Sequence, residues 1–374
     1  MTDQELLYTI ALTRTPRLNS EHQKMLIEAA GSVAEVYDHR NDIRQIVPDA
    51  SDALRLAVSA MDAQLSRAEA ELKFVRGKRV KCLCMGENDY PSRLLECPDA
   101  PVLLYYCGNA DLNARRIISI VGTRQITEYG KQLCHKFTSE LKQLCPEALI
   151  VSGLAYGVDI RAHRGALEQG MSTVGVLAHG LDQIYPRLHR STAVEMVQHG
   201  GLLTEYASGT AIDKMNFVAR NRIVAGISDA TIVIESAAKG GSLITARIAR
   251  DYNKDVFAFP GRVTDECSAG CNSLIAQDEA ACLLDAQNFM DKMGWTTSVQ
   301  EHKLRNENAQ LELFQELSDE ERRIISALQK CDGKASNQIS IETNIPIGQL
   351  SGLLFSMEMK GLVKMMTGGM YRLS

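Results

Sequence analysis

Positive charge is scarce in this sequence. Its 41 Lys and Arg are outnumbered by 46 Asp and Glu, for a net charge of −5. That excludes a chain that grips nucleic acid through bulk basicity, so any polyanion site must be a local patch. No apolar run reaches the length of a membrane span. The first residues, MTDQELLYTI, lack a basic stretch ahead of a long apolar core, so no signal peptide is expected. Cys82, Cys84, Cys97, Cys107, Cys134, Cys145, Cys267, Cys271, Cys282 and Cys331 are scattered and form no C-x-x-C pair, which reads as reduced thiols in a cytoplasmic protein. The G-x-G-x-x-G dinucleotide fingerprint is also absent, which makes an ordinary dehydrogenase the weakest reading.

What is present is a folded chain of two or three domains: 374 residues, 45% apolar and 23% charged. Residues 1–76 carry helical spacing at Leu6, Leu7, Ile10 and Ala11 and again at Met25, Leu26 and Ala29, with one longer helix expected from Ser51 to Phe74. This reads as a small SAM-like or helix-hairpin-helix-like domain. Its turn Thr15-Pro16-Arg17-Leu18-Asn19-Ser20 lacks the glycines that let such a turn approach a DNA backbone, which favours a scaffold or interaction domain. Residues 77–294 form an extended central domain. Apolar runs at Ile117–Val121, Ala148–Val151, Thr173–Ala178, Leu202–Thr204, Thr231–Ile234 and Val256–Phe259 alternate with helical patterns. That alternation predicts an α/β, Rossmann-like, doubly wound and mostly parallel sheet that binds ligands at the carboxyl ends of its strands. Residues 295–316 read as a linker. Residues 317–374 read as three helices and a hairpin with Gly368-Gly369 at its turn, a winged-helix pattern. Its expected recognition helix, Ile347 to Lys360, is poor in Arg and Lys, which favours protein contact or dimer packing over DNA reading.

The chemistry gathers at the strand ends of the central domain. Gly122-Thr123-Arg124 follows the first strand, where a phosphate would sit, although Arg124 alone reads equally as a surface ion-pair partner. Ser152-Gly153 follows the second strand, and Ser152 is a candidate phosphate ligand. Asp159 and His163, four apart, form either an acid–base or metal pair or a helix cap beside a hydrogen-bonded histidine. No third ligand stands at metal-like spacing, so the cap is the better-supported reading and no metal is expected. His179 reads as a ligand contact or as a structural residue of the Gly180–Pro186 loop. Asp213 to Arg222 holds Lys214, Arg220 and Arg222 against one carboxylate, and Phe217 shares a helical turn with Lys214, where it stacks on a base or packs in the core. Gly240-Gly241-Ser242 opens a helix and offers its N–H groups to an anion.

Together these stretches resemble the DNA-processing protein A (DprA/Smf) family. The resemblance rests on Val121-Gly122-Thr123-Arg124, Ser152 to Asp159 with Ala162-His163, Gly180-Leu181-Asp182 with Tyr185-Pro186, and Glu205-Tyr206. It continues through Phe217 with Arg220-Asn221-Arg222, Gly241 to Ala246, and Phe257 to Gly261. It implies a non-catalytic protein without cofactor that binds single-stranded DNA, protects incoming strands in natural transformation and helps load the RecA recombinase. It further implies a homodimer through the Rossmann-like domain, with no membrane association. The implied DNA-binding residues are Arg124, Lys214, Phe217, Gly240, Gly241 and Ser242, with Arg220 and Arg222 alongside. Gly122, Thr123, Ser152 and Gly153 are further loop contacts. Thr123 stands where Ser is common in the family, and Asp278-Glu279 replaces a Gly-containing step.

Two rivals stay open on sequence grounds. A nucleotide phosphoribohydrolase needs a carboxylate at a strand end, and Glu205 or Glu235 fits that need, although the Pro-Gly-Gly-x-Gly-Thr loop of those enzymes is missing. A nucleotide sensor with the winged helix as its output is the other.

Overall fold

The computed structural model describes residues 2–295, 318–329, 334–366 and 370–373. It divides into two compact units, residues 1–298 and 299–374. Apart from Trp295, the expected linker lies outside the described residues, as does the Gly368-Gly369 turn.

The first unit begins with five helices: α1 (Asp3–Arg14), α2 (Ser20–Ala30), α3 (Val33–Asp38), α4 (Asp52–Ser59) and α5 (Leu65–Lys78). Side-chain caps start several of them; Asn19 Oδ1, for example, accepts the His22 N–H at 2.9 Å. The single long helix expected from Ser51 is instead broken by a tighter helical turn at Ala60–Gln64. The break redirects the chain. Leu54, Ala57, Val58 and Met61 stay in the helical core, whereas Ala68 and Val75 of α5 join a second core with Cys84, Leu103 and Tyr105. The N-terminal helices therefore share buried surface with the sheet domain.

The sheet has nine strands. An antiparallel edge, β1 (Lys81–Cys84) and β2 (Leu103–Gly108) with the short α6 (Ser92–Leu95) between them, pairs with β6 (Gly200–Thr204). The rest is parallel: β3 (Ile117–Val121), β4 (Leu149–Ser152), β5 (Thr173–Val176), β6, β7 (Ala230–Val233), β8 (Asp255–Ala258) and β9 (Ala281–Cys282). The spatial order is β1-β2-β6-β5-β4-β3-β7-β8-β9. The chain winds outward from β3 to β6 and then returns to place β7 on the other side of β3. The topological switch point therefore lies between β3 and β7.

Strand residues alternate between two buried faces. Ile118, Ile120 and Ile150 pack under α7 (Glu128–Leu144), α8 (Val158–Glu168) and α13 (Ala286–Lys292), meeting Phe137, Val158 and Phe289. Ile117, Val121 and Leu149 face α10 (Lys214–Gly226) and α11 (Ser242–Asp251), meeting Ile223, Val224 and Ala246. Helix α9 (Arg190–His199) packs Ala193 and Met196 with Leu154 and Leu202 in a smaller core. Helix α12 (Ala269–Ala276) adds Cys271 and Leu274 to the second face. This is the doubly wound sheet that the alternation of patterns predicts.

In the second unit, helices Asp319–Leu328, Ser336–Thr343 and Ile347–Met359 and the hairpin Val363–Met366/Met370–Leu373 enclose Ile324, Ile339, Leu350, Leu354 and Met357. Ser318 and Glu321 form a complete capping box at the first helix. A short strand at Lys334–Ala335, not expected from the sequence, adds to the hairpin. No helix among the described residues is long and apolar enough to cross a membrane.

Candidate nucleic-acid interface

The loops that leave β3, β4, β5, β6 and β7 all emerge on one rim. The loop after β3 is held from across the switch point by Glu235. The main-chain carbonyl of Glu235 accepts the Thr123 N–H at 2.7 Å. Its buried carboxylate accepts the Thr127 N–H at 2.9 Å and the Thr127 hydroxyl at 2.6 Å. Thr127 is itself the N-cap of α7. The carboxylate thus sits at the positive end of a helix and is fully committed to shaping the loop. Gly122 is required here because a Cβ would collide with Val158 and close to 2.8 Å from the Glu235 carbonyl oxygen.

The clamp leaves Arg124 exposed, with its guanidinium carbon 5.6 Å from the centre of the Phe217 ring. Phe217 is half-buried on the first turns of α10, one turn from the exposed Lys214 that begins the helix. Asp213 caps that helix by accepting the Met215 N–H at 2.6 Å. Tyr185 packs edge-on to Phe217, with ring centres 5.8 Å apart. At the end of β7, Gly240 donates to the Ala237 carbonyl at 2.9 Å. Leu243 and Ile244 turn back onto Gly240 and Gly241. The N–H groups of Gly241 and Ser242 are left without an acceptor among the described residues, at the start of α11. Gly241 is exposed and nothing stands within 4 Å of where its Cβ would be, whereas a Cβ on Gly240 would collide with Ser236.

Several expected contacts face elsewhere. Arg220 is 3% exposed. Its guanidinium donates to the Gly153 carbonyl at 2.5 Å and to the Val176 carbonyl, and so ties the loops after β4 and β5 together. Burial holds its pKa below the usual guanidinium range, against the pull of Asp159. Gly153 is glycine because a Cβ would press on this guanidinium at 2.5 Å. Arg222, on another side of α10, pairs with Glu205 at 2.5 Å and reaches Ser20 Oγ at 3.4 Å. It lines a cavity of about 460 Å³ with Asn19, Ser20, Asp99 and Glu205, at the junction with the N-terminal helices. Burial raises the Glu205 pKa, and the Arg222 charge opposes the rise. The Ser152 hydroxyl donates inward to the Ile120 carbonyl at 2.6 Å, and the Ser242 hydroxyl donates to Ser236 Oγ at 2.8 Å. As corrections to the sequence reading, Arg220 and the hydroxyls of Ser152 and Ser242 are turned inward beneath the rim, and Arg222 faces the N-terminal helices. Arg124, Lys214, Phe217 and the Gly241 turn remain on the rim, with exposed Lys239 beside them.

His163 and His179 are both taken up by structural contacts. Thr173 gives its hydroxyl proton to the Ile150 carbonyl at 2.9 Å, so it accepts from His163 Nδ1 at 2.7 Å. His163 Nε2 is then an unprotonated, buried atom without a partner. Asp159 accepts the Ala155 N–H at 3.3 Å near the start of α8. His179 Nε2 accepts the Tyr185 N–H at 3.2 Å and Nδ1 meets the Gly180 carbonyl at 2.9 Å, which fixes the tautomer and the loop. Among the described residues no group of His, Cys, Asp and Glu is placed to hold a metal.

These features define a class: a Rossmann-like α/β protein whose switch-point rim offers cations, an aromatic ring and a helix N-terminus, followed by a winged helix. Comparison with known proteins is more specific. A family model described as DNA recombination-mediator protein A matches residues 81–294, and one described as the DprA winged helix domain matches residues 312–369. The chain belongs to the DNA recombination-mediator protein A (DprA/Smf) family. It is 32% identical over 324 residues to protein Smf of Synechocystis sp., covering 79% of this chain and 80% of that protein. It is 39% identical over 204 residues to the DNA processing protein DprA of Streptococcus pneumoniae, covering 54% and 71%. An X-ray structure of the Streptococcus pneumoniae protein superposes with a TM-score of 0.65 at 32% identity over 76% of this chain and 97% of that one. A structure of DNA processing protein A from Helicobacter pylori, concerned with its single-stranded DNA binding mode, superposes with a TM-score of 0.52 at 34% identity over 57% and 95%.

Proposed function

We propose that this chain binds single-stranded DNA along the carboxyl-end rim of its sheet, without catalysis. In this reading it shields incoming strands and hands them to the RecA recombinase, in the cytoplasm and as a homodimer through the Rossmann-like domain. The observations that carry the binding step are the Arg124–Phe217 contact with Lys214 one helical turn away, and the open N–H groups of Gly241 and Ser242 after the neighbouring strand β7. Cations neutralise phosphates, the helix start holds one phosphate, and the ring stacks on a base of any identity. The Helicobacter pylori relative supports the choice of a single strand. The hydrolase alternative is less well supported: Glu235 is spent on Thr127, and Glu205 holds Arg222 through Oε2, although its buried Oε1 has no partner among the described residues. The helix Ile347–Met359 carries no Arg or Lys and exposes Phe355 and Met359, which supports protein contact as the role of the winged helix.

Fluorescence anisotropy of a labelled oligo-dT strand and a matched duplex at two salt concentrations tests the reading. The wild type should prefer the single strand and weaken with salt, with a log–log slope of roughly −0.7 per phosphate neutralised. Arg124→Ala and Lys214→Ala should each lower affinity and flatten that slope. A slope unchanged in both variants removes those residues from the site. If neither DNA form binds, nucleoside monophosphates and glycosidic-bond hydrolysis become the next assays.

A further inference from the structure

Two tyrosines on the rim have no structural task that accounts for their exposure. Tyr156 is 44% exposed and Tyr185 is 42% exposed. Neither hydroxyl has a hydrogen-bond partner among the described residues. Yet both rings are held. Tyr156 rests edge-on against His189, ring centres 5.0 Å apart, and the buried His189 is fixed by its Nδ1 contact to the Leu154 carbonyl at 2.9 Å. Tyr185 is anchored through its N–H to His179 and through its ring to Phe217.

Their placement relative to Arg124 follows from backbone contacts. The Val158 N–H donates to the Thr123 carbonyl at 3.1 Å. Gly157, at φ +79°, lies so close that a Cβ would collide with the Thr123 carbonyl oxygen and stand 2.7 Å from Arg124 Cα. Tyr156 is therefore the residue next to a backbone contact with Arg124. The Arg124 guanidinium meets Phe217, and Tyr185 packs on Phe217.

We propose that Tyr156 and Tyr185 are further base-stacking platforms, so that the rim takes several unpaired nucleotides rather than one. This deepens the single-strand reading and rests on it. Isolated exposed tyrosines are ordinary on protein surfaces. What distinguishes these two is that packing orders the rings before any strand arrives, which lowers the entropic cost of stacking. Arg124 against the Phe217 ring suits a phosphate next to a stacked base. Duplex bases are stacked and paired, and so cannot use such platforms.

The test compares labelled oligo-dT with an abasic strand of equal length, using the full chain and Tyr156→Ala, Tyr185→Ala and the corresponding Phe variants. Each Ala variant should bind oligo-dT roughly five- to 150-fold more weakly. Binding to the abasic strand should not change, and the Phe variants should match the wild type. Ala variants that keep wild-type affinity for oligo-dT, or that lose both strands alike, overturn the assignment. So does a wild type that binds the abasic strand as tightly as oligo-dT. A wild type that binds neither strand overturns the single-strand reading itself, and this assignment with it.

Discussion

Glu235→Ala is the sharpest perturbation of the rim that leaves every exposed residue in place. The substitution removes both acceptors of Thr127, the N–H at 2.9 Å and the hydroxyl at 2.6 Å, from a side chain that is 2% exposed. A hydrogen bond to a charged group contributes about 1.5–3 kcal/mol, so the pair amounts to about 3–5 kcal/mol once the shared neighbourhood relaxes. That is a large part of the ~5–15 kcal/mol by which a domain is stable. With a urea dependence of about 3 kcal/mol/M, the midpoint should fall by at least ~1 M. The assay is built in: Trp295 is the only tryptophan, and it packs edge-on to the buried Phe289 at 5.3 Å. Its fluorescence reports unfolding of the sheet unit in the intact chain. Glu235→Gln is the control. Its amide oxygen still accepts the Thr127 N–H and its NH₂ can donate to the Thr127 hydroxyl. What is lost is the charge at the start of α7 and the acceptor for the Thr127 hydroxyl proton, so the cost should be smaller than in the Ala variant, about 1–2 kcal/mol. The Gln variant should bind single strands like the wild type, whereas a hydrolase that used Glu235 would be disabled by it. An Ala variant that melts with the wild type would refute the clamp.

The second prediction concerns acid stability. Burial, reinforced by the Arg220 and His189 charges, lowers His163 from 6.5 to about 3 in the folded chain. Between those values the unfolded state binds the extra proton, so stability is complete above the unfolded value and falls as pH drops. The slope from this group is at most about 1.4 kcal/mol per pH unit. In His163→Gln, urea midpoints measured from roughly pH 6 to 4 should fall less steeply than in the wild type; an identical slope would place the proton elsewhere. The third concerns the turn at Gly241, proposed to hold a phosphate. A Cβ at Gly241 meets nothing within 4 Å, so Gly241→Ala should melt with the wild type yet bind oligo-dT more weakly. Unaltered affinity would take the phosphate off that turn.

Much of this was legible in the chain, because buried parallel strands leave short apolar runs and ligand loops follow them. The runs at Ile117–Val121 and Thr231–Ile234 fall on β3 and β7 within a residue, and the loops that follow them are the two that flank the switch point. Lys214 and Phe217 were paired by helical spacing alone, and α10 pairs them. Which way each arginine of that helix faces was not legible. Charge counts treat Arg220 and Arg222 alike, but their direction depends on the side of α10 that meets the sheet, and this is a tertiary fact. One signal did exist. Gly153 has no positive φ to satisfy, so its missing side chain marks space, and the Arg220 guanidinium fills it.

The N-terminal helices teach the same lesson from the apolar side. A boundary at residue 76 treats them as self-contained, which requires each helix to spend its apolar surface on the others. Helix α5 carries Ala68, Leu72 and Val75 at helical spacing, and these pack with Cys84, Leu103 and Tyr105 of the sheet's antiparallel edge. Polar contacts repeat the join. Buried Glu71 accepts the Ser208 N–H at 2.9 Å and its hydroxyl at 2.5 Å, while Arg67 donates to the same carboxylate at 2.8 Å. Ser208 lies in the loop that runs from β6 toward Lys214. The helical region therefore braces, from behind, the loop that leads into α10 and its Lys214 and Phe217. These contacts are what a bracing role for the helical region requires.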